Sequence, residues 1–220
     1  MLASRLQQKL SSLTVAFVAD AKVRLGLPDS HLDPGIRPAV PGSRMLGPAV
    51  TVRLEVAQSA EAADLSLLTK AYSARPEAGC IMVIQVPEEL HDRAIFGDGA
   101  ATLARANGYV GALVEGGVRD IRELGEMQFP LFSRTITPGY ILGTASAVAT
   151  HEPVLVGGRT IHSGDLIFGD TDGVIVLRPD EVDAAVERAL QIKDWEDRFH
   201  AMLASGHSYE ETTENLGPTP

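Results

Sequence analysis

The sequence predicts an α/β layered sandwich with a mixed central sheet, formed as a single domain. Three observations lead to this fold class. Apolar runs at strand spacing alternate with helix-like runs through the middle of the chain. Short β segments joined by glycine turns follow, and a long amphipathic helix comes after them. The 220 residues contain no internal repeat, linker or low-complexity block, so one domain is the simplest organisation.

The first half of the chain predicts a helical region followed by alternating strands and helices. Residues 4–25 read as helical, ending at Gly26 and Pro28, and Ser11 or Ser12 is a candidate cap for their second half. Residues 27–43, rich in proline and glycine, are expected to form a loop. The elements expected next are a strand over 47–56, a helix over 60–74, a strand over 80–86, a helix over 98–107 and a strand over 109–114.

The second half predicts shorter β segments and one long helix. The expected elements are a helix over 120–127, a strand over 131–136, short segments over 154–156, 159–162 and 165–169, a strand over 173–177 and a helix over 180–204. The last helix places five apolar residues on one face: Val182, Ala185, Val186, Ala189 and Ile192. Polar and acidic residues dominate after Gly206, so we expect a domain over 1–205 and a flexible tail over 206–220.

Composition excludes several classes of function. A net charge of −10 argues against nucleic-acid binding, which needs concentrated lysine and arginine. No run is long and apolar enough for a membrane span, and the first residues lack the apolar core of a signal peptide, so we expect a cytoplasmic protein. The single cysteine, Cys80, lies in an apolar run, which indicates a buried side chain rather than a nucleophile.

The lysines also bear on the chemistry. The chain has four, and each lies in a helix-like stretch: Lys9, Lys22, Lys70 and Lys193. A lysine that forms a Schiff base is desolvated or placed beside another cation, which lowers its pKa. None is obviously placed in that way, so carbonyl chemistry here would more naturally use a metal ion.

The most informative stretch is Gly97-Asp98-Gly99-Ala100, which opens a predicted helix. Free N–H groups at a helix start favour an anion such as a carboxylate, and glycine lets a ligand approach the backbone. The same pattern also fits a plain helix start with Asp98 as its N-cap. A helix and a strand return the chain towards this turn, where Arg119 and Asp120 follow two glycines.

Arg119 and Asp120 could share a pocket with that turn. Arginine keeps its charge and can contact a carboxylate or a developing enolate, and Mg²⁺ often takes only one or two protein carboxylates. An isolated arginine–aspartate pair is also compatible with a surface ion pair or a helix cap. Glu123, on the same helical face as Asp120, could anchor a metal-bound water or form a salt bridge with Arg119 or Arg122.

The pattern Asp98-x20-Arg119-Asp120-x2-Glu123 resembles the signature of the 4-hydroxy-4-methyl-2-oxoglutarate aldolases, a family that includes the regulator of ribonuclease E activity A. The resemblance covers roughly residues 10–205. Further similar stretches are Gly47-Pro48-Ala49-Val50-Thr51-Val52, Val114-Glu115-Gly116-Gly117, Phe129-Pro130-Leu131-Phe132-Ser133-Arg134, and Gly164-Asp165 through Asp170-Thr171-Asp172-Gly173-Val174.

The resemblance implies an α-β-β-α sandwich that assembles as a homotrimer or hexamer, with active sites between subunits. It implies that the backbone of Gly97, Asp98, Gly99 and Ala100 holds the carboxylate of pyruvate. Arg119 would contact the substrate carbonyl. Asp120 would bind the divalent metal, Mg²⁺ or Mn²⁺, directly, whereas Asp98 and Glu123 would reach it through water.

The implied activity is that of a metal-dependent lyase. It would cleave 4-hydroxy-4-methyl-2-oxoglutarate or a related 4-hydroxy-2-keto acid to pyruvate and a second keto acid, and it would decarboxylate oxaloacetate through the same enolate. The alternative is a non-catalytic regulator that binds a ribonuclease, for which an acidic surface suits a basic partner. Glu115 stands where the family usually has aspartate, which leaves the substrate open.

Overall fold

The computed structural model describes residues 4–76 and 79–220. Within them the helices are α1 (Ser4–Ser11), α2 (Val15–Arg24), α3 (Ser66–Ser73), α4 (Asp98–Ala106), α5 (Ile121–Glu126), α6 (Val182–Ala204) and α7 (Tyr209–Leu216). The strands are β1 (Arg37–Pro38), β2 (Met45–Val56), β3 (Cys80–Gln85), β4 (Ala94–Phe96), β5 (Tyr109–Val118), β6 (Leu131–Ile136), β7 (Ala145–Thr150), β8 (Val154–Val156), β9 (Arg159–Ile161), β10 (Leu166–Asp170) and β11 (Gly173–Leu177). Among these residues, no helix combines the length and apolar character needed to cross a membrane.

Contacts divide the described chain into two compact units. The first, residues 30–179, contains all the strands described above together with α3, α4 and α5. The second combines α1 and α2 with α6 and α7, from residues 4–29 and 180–220. The α/β class is therefore confirmed, with the strands confined to one unit.

The main sheet has nine strands and is mixed, as expected. Its order is β1-β6-β5-β3-β2-β10-β11, while β4 also pairs with β5 and β7 with β2. The pairs β2–β3, β3–β5, β4–β5 and β5–β6 are parallel, whereas β1, β7, β10 and β11 pair antiparallel. The parallel strands β4, β5 and β6 are connected through α4 and α5, so the residues that follow β4 and β5 come together at one edge.

Both faces of the sheet are covered at β3, which explains why this strand is apolar from Cys80 to Ile84. Met82 and Ile84 belong to one buried cluster, and Ile81 and Val83 to another. A strand buried on both faces has no polar alternation, as the sequence indicated here. Cys80 is buried in the same strand, which confirms its expected place in the core.

The helical unit confirms the predicted apolar face of α6, because all five of its expected residues are buried. The boundary between α1 and α2, within residues 4–25, lies later in the chain than expected. Thr14, rather than Ser11 or Ser12, is the N-cap of α2, and its hydroxyl oxygen accepts from the backbone N–H of Phe17. Both serines instead donate their hydroxyls to backbone carbonyls three residues earlier in α1.

Four expectations about elements need correction. The helix expected over 60–74 begins only at Ser66, because Asp64 Oδ1 accepts from the Ser66 N–H at 2.7 Å and holds a turn there. The tail after Gly206 is not without structure, since α7 occupies Tyr209–Leu216. Strands β4 and β7 were not expected from the sequence, and the two-residue strand β1 lies within residues 27–43, which were expected to form a loop.

Candidate active site

A cleft of about 250 Å³ lies at the carboxyl ends of β4 and β5, in the first unit. Its lining includes six of the seven predicted site residues: Gly97, Asp98, Gly99, Ala100, Arg119 and Asp120. The remaining lining residues are Ala94, Ile95, Phe96 and Tyr140. The fold therefore brings together the two halves of the sequence pattern, which are twenty residues apart.

The helix start at α4 is built around carboxylates. Gly97 is its N-cap and Asp98 its first helical residue, so the expectation of Asp98 as N-cap is wrong by one position. The backbone N–H of Asp98 donates to Asp120 Oδ2 at 3.2 Å, and that of Gly99 donates to Asp98 Oδ1 at 2.6 Å. Two N–H groups at this helix start therefore donate to carboxylate oxygens, which is consistent with the predicted binding of an anion here.

Gly97 allows the close approach of the two segments. A Cβ atom at Gly97 would collide with Asp120 Oδ2 and would lie 3.2 Å from Arg119 Cγ. The backbone of Gly97 is extended, with φ at −155°, so the need for glycine here is steric rather than conformational.

Arg119 and Asp120 are placed by β-sheet pairing followed by a turn. Phe96 pairs with Val118, and the Arg119 N–H donates to the Phe96 carbonyl at 3.0 Å. Asp120 has left-handed backbone angles, φ 59° and ψ 39°, which are costly for a residue other than glycine and are found at functional sites. These angles direct its carboxylate towards the start of α4.

Of the two simpler roles considered for Arg119 and Asp120, a surface ion pair and a helix cap, the structure contains only the first. Arg119 Nε lies 3.5 Å from Asp120 Oδ2, so the ion pair is present. Asp120 precedes α5 without a side-chain hydrogen bond to that helix, so the carboxylate is not a helix cap. The carboxylate instead faces the cleft and the start of α4.

Glu123 does not line the cleft described above. Its Oε1 accepts hydrogen bonds from Arg122 Nε at 3.2 Å and from Nη2 at 2.8 Å. The hydrogen bonds from Arg122 lower the pKa of the Glu123 carboxyl, and a hydrogen bond from the backbone of Glu123 itself lowers it by a smaller amount. Of the two alternatives raised for Glu123, the salt bridge with Arg122 is the one that the structure contains.

Sequence reasoning missed Tyr140. Its ring lies under the Arg119 guanidinium, with Cζ 4.7 Å from the ring centroid, a distance typical of a cation–π contact. Tyr140 is far from the aspartate–arginine pattern in the chain and belongs to no recognisable motif. The only local signal is the Pro138-Gly139 turn before it.

The residues present fit a metal ion held mainly by water. Within residues 4–76 and 79–220, no group of three or more histidine, cysteine, aspartate or glutamate side chains could enclose a metal. Asp98 and Asp120 nevertheless place two carboxylates in one cleft, and glycine at position 97 leaves room beside Asp120 Oδ2. Mg²⁺ often binds to one or two carboxylates and keeps several waters, so this donor set suits it.

One lysine is more buried than its sequence suggested. Lys22, in the helical unit, is 3 % exposed, and its Nζ lies 2.6 Å from Glu181 Oε2. Burial alone would suit a Schiff-base lysine. The Lys22 amine, however, already has a carboxylate partner, and all the predicted site residues lie in the first unit. The preference for a metal over a lysine therefore stands as a prediction.

Glu115 forms part of a network that joins loops to the sheet. Its Oε1 accepts from Arg134 Nε at 2.8 Å and its Oε2 accepts from the Gly157 N–H. Arg134 also contacts Asp33 at 3.2 Å. These contacts give Glu115 a structural role within the first unit.

Residues 15–176 match the family described as RraA-like, Aldolase/RraA. A Halalkalibacterium halodurans protein with the provisional name 4-hydroxy-4-methyl-2-oxoglutarate aldolase is 33 % identical over 73 % of this chain and 72 % of its own length. Protein DlpA of Legionella pneumophila is 27 % identical over 96 % of this chain, which spans only 33 % of that longer protein.

Solved structures share the fold. An uncharacterized protein from Pseudomonas syringae pv. tomato is similar with a TM-score of 0.81 and 27 % identity, covering 96 % of this chain and 97 % of its own. Streptomyces coelicolor RraAS2, described as an unusual member of the RNase ES inhibitor RraA protein family, gives a TM-score of 0.75 at 24 % identity. This second match covers 89 % of this chain and 95 % of its own.

Proposed function

The chain belongs to the RraA-like family, and we propose that it acts as a divalent-metal-dependent lyase on small keto acids. Its substrate would be 4-hydroxy-4-methyl-2-oxoglutarate or a related 4-hydroxy-2-keto acid, cleaved to pyruvate and a second keto acid. Oxaloacetate would lose CO₂ in the same cleft. The observation that supports this most is the convergence of Arg119, Asp120 and the start of α4 on one small polar cleft. The provisional aldolase name of the Halalkalibacterium relative is consistent with it.

The carboxylate of the substrate fits the start of α4. Residues 97–100 line the cleft, and the N–H groups of Asp98 and Gly99 donate to aspartate oxygens, which supports a preference of this helix start for an anion. The Arg119 guanidinium is the group that would contact the 2-keto oxygen. Its fixed positive charge would stabilise the negative charge that develops there as the bond breaks.

Asp120 would hold the metal, Mg²⁺ or Mn²⁺, directly, and Asp98 would hold it through water. When bound, the metal supplies a Lewis acid for the keto and carboxylate oxygens of the substrate. Glu123 remains in this proposal as a second water-mediated contact, which would compete with its salt bridge to Arg122.

The bond changes need one proton transfer in each direction. Asp98 or Glu123, through a water, would take the proton from the C4 hydroxyl as the C3–C4 bond breaks. The electron pair of that bond becomes the enolate of pyruvate, and protonation at C3 yields pyruvate. Loss of CO₂ from oxaloacetate gives the same enolate without a base, so this activity should depend less on Asp98 and Glu123.

The exposed apolar side chains beside the cleft suggest an assembly. Ile136 and Leu142 are among the most exposed large apolar residues described, and both lie near Tyr140 in the chain. Apolar surface of this kind is typical of an interface. We therefore propose a homotrimer or hexamer with the sites at the subunit interfaces, which sedimentation equilibrium would test.

The first test is pyruvate release from both substrates by EDTA-treated protein, with and without Mg²⁺ or Mn²⁺. Metal-dependent release above the rate of the free metal would support the lyase. Asp120→Ala should abolish metal-dependent release, and Arg119→Ala should lower the rate on the order of 10²–10³-fold, the usual cost of losing one charge-stabilising donor. Glu126→Gln, at an exposed carboxylate at the end of α5, is the matched control.

Near-wild-type release by either site variant would contradict these roles. Absence of release from both substrates would leave either a different keto acid as the substrate or the alternative, a protein-binding regulator of a ribonuclease. The net charge of −10 suits a basic partner for such a regulator. Co-purification of a stoichiometric partner with the catalytically inert protein would then establish it.

A further inference from the structure

We infer that Tyr140 is a positioning residue that fixes the Arg119 guanidinium over the cleft, and this rests on the proposed function. Tyr140 lines the cleft together with Arg119, and its ring packs against the guanidinium. A cation 4.7 Å from the ring centroid is attracted to the face of the ring without losing its charge. Arg119 is thereby held in one place, at the lining of the cleft, where its guanidinium can meet a substrate oxygen.

The other charged contact of Arg119 is a weak constraint. Arg119 Nε and Asp120 Oδ2 are 3.5 Å apart, which is longer than an ordinary N–H···O hydrogen bond. The same Oδ2 accepts a hydrogen bond from the Asp98 N–H, which competes with the ion pair for this oxygen. Since both side chains are partly exposed, solvent weakens the ion pair further. The aromatic contact therefore contributes most to the fixed orientation.

Tyr140 is itself anchored to the strand that leads to the site. Ala94, the first residue of β4, forms a parallel bridge with Tyr140, and its N–H donates to the Gly139 carbonyl at 2.6 Å. Thr137 Oγ1 donates to the Asp92 carbonyl at 3.0 Å and accepts from the Gly139 N–H at 3.1 Å. Strand β4 thus positions the ring directly and positions Arg119 through the hydrogen bond from its N–H to Phe96.

The exposure of Tyr140 argues against a role in core packing. The side chain is 53 % exposed, unlike Tyr72 and Tyr109, which are buried. A half-exposed aromatic residue contributes little to the core, and removing it should leave the fold intact. What its loss would change is the position of the guanidinium.

The kinetic test compares Tyr140→Leu with Tyr140→Phe in oxaloacetate decarboxylation by the metal-loaded protein. Leucine removes the ring face and should lower kcat about three- to tenfold with a smaller change in KM, in line with the strength of such contacts. Phenylalanine retains the face and should restore most of kcat. Tyr209→Leu makes the same change at an exposed tyrosine of α7, in the second unit, and should leave kcat unchanged. Equal losses in the leucine and phenylalanine variants would overturn the inference, because the hydroxyl would then be the active part.

A double-mutant cycle shows whether Tyr140 acts through Arg119. In the Arg119→Ala background, Tyr140→Leu should cause no further loss of kcat, because the group it positions is gone. Full additivity of the two losses would contradict the inference.

Crystal structures of the wild type and both Tyr140 variants give a readout that does not depend on activity. The Arg119 guanidinium should occupy one position in the wild type and in Tyr140→Phe, and several positions in Tyr140→Leu. If the wild type releases no pyruvate but this difference is seen, the proposed function fails and the positioning role stands. If the wild type is active and Arg119 is equally ordered in all three structures, the positioning role fails alone.

Discussion

At the scale of single residues, the site depends on a glycine that has room for no side chain. Gly97→Ala should place a methyl group against Asp120 Oδ2 and Arg119 Cγ, so the carboxylate must move or the start of α4 must open. A displacement of about 1 Å at a reacting group can cost on the order of 10²-fold in rate. We therefore expect metal-dependent pyruvate release to fall at least about tenfold, with the circular dichroism spectrum unchanged.

Gly125→Ala is the matched control for that substitution. Gly125 lies inside α5, where an added Cβ meets its nearest neighbour, Val40 Cγ1, at an ordinary 3.8 Å. This variant should keep its activity. Full activity in Gly97→Ala would mean that the position of the Asp120 carboxylate does not matter for turnover.

The residues of the cleft differ in how far the sequence could predict them. Asp98, Arg119 and Asp120 could be found because glycines precede them and because a helix and a strand return the chain to its starting edge. Tyr140 could not be found, since a ring that packs on a distant arginine leaves no spacing pattern in the chain. The partner of Glu123 was ambiguous, because Arg119 and Arg122 are both within reach of a helical glutamate.

At the scale of elements, prediction succeeded where one segment determines its own structure. Strand β3 is apolar from Cys80 to Ile84 and is evident from the sequence, whereas β7 (Ala145–Thr150) is rich in alanine and has little strand propensity of its own. Strand β7 forms because it pairs with β2 from Val52 to Val56, and such long-range pairing is not visible in a local pattern. Strand β4 is three residues long, too short for a periodic signal.

The sequence pattern does not reveal helix α7, because its acidic and hydroxyl residues are also typical of a flexible tail. Its start is a capping box, in which the Ser208 hydroxyl oxygen accepts from the Glu211 N–H and Glu211 accepts from the Ser208 N–H. Loss of such a cap costs about 1 kcal/mol. We predict that Ser208→Ala destabilises α7 by about this amount.

The fluorescence of Trp195 provides the measurement. It is the only tryptophan of the chain, and its Nε1–H donates to the Gly217 carbonyl at 3.1 Å just beyond α7. In Ser208→Ala, its emission should change at a lower denaturant concentration than in the wild type. Glu214→Ala, at an exposed position of the same helix, should show no such loss. Identical curves for Ser208→Ala and the wild type would show that the cap does not stabilise α7.

At the scale of the whole molecule, buried tyrosines should make the stability of the fold sensitive to alkali. Burial raises the pKa of Tyr109 to about 12, with a smaller contribution from Cys80, and burial also raises that of Tyr72. Both hydroxyls donate to backbone carbonyls inside the first unit, Tyr109 to Ala71 at 3.1 Å and Tyr72 to Ile95 at 3.3 Å. The folded state therefore keeps both phenols protonated at a pH where the unfolded chain has begun to lose these protons.

The sign of the effect follows from proton linkage. Below pH 10 the folded and the unfolded chain both bind the phenolic protons, so the contribution of Tyr109 to the stability of the fold is fully present. As the pH rises towards about 12, only the folded state retains the Tyr109 proton, and this contribution to stability is lost. Each such group lowers the free energy of unfolding by up to about 1.4 kcal/mol per pH unit in that range. Tyr109→Phe should therefore have a shallower alkaline slope than the wild type in urea unfolding, although it loses a hydrogen bond at neutral pH. Tyr209→Phe, at an exposed position, should keep the wild-type slope. If the slope of Tyr109→Phe equals that of the wild type between pH 10 and 12, Tyr109 does not cause the alkaline loss of stability.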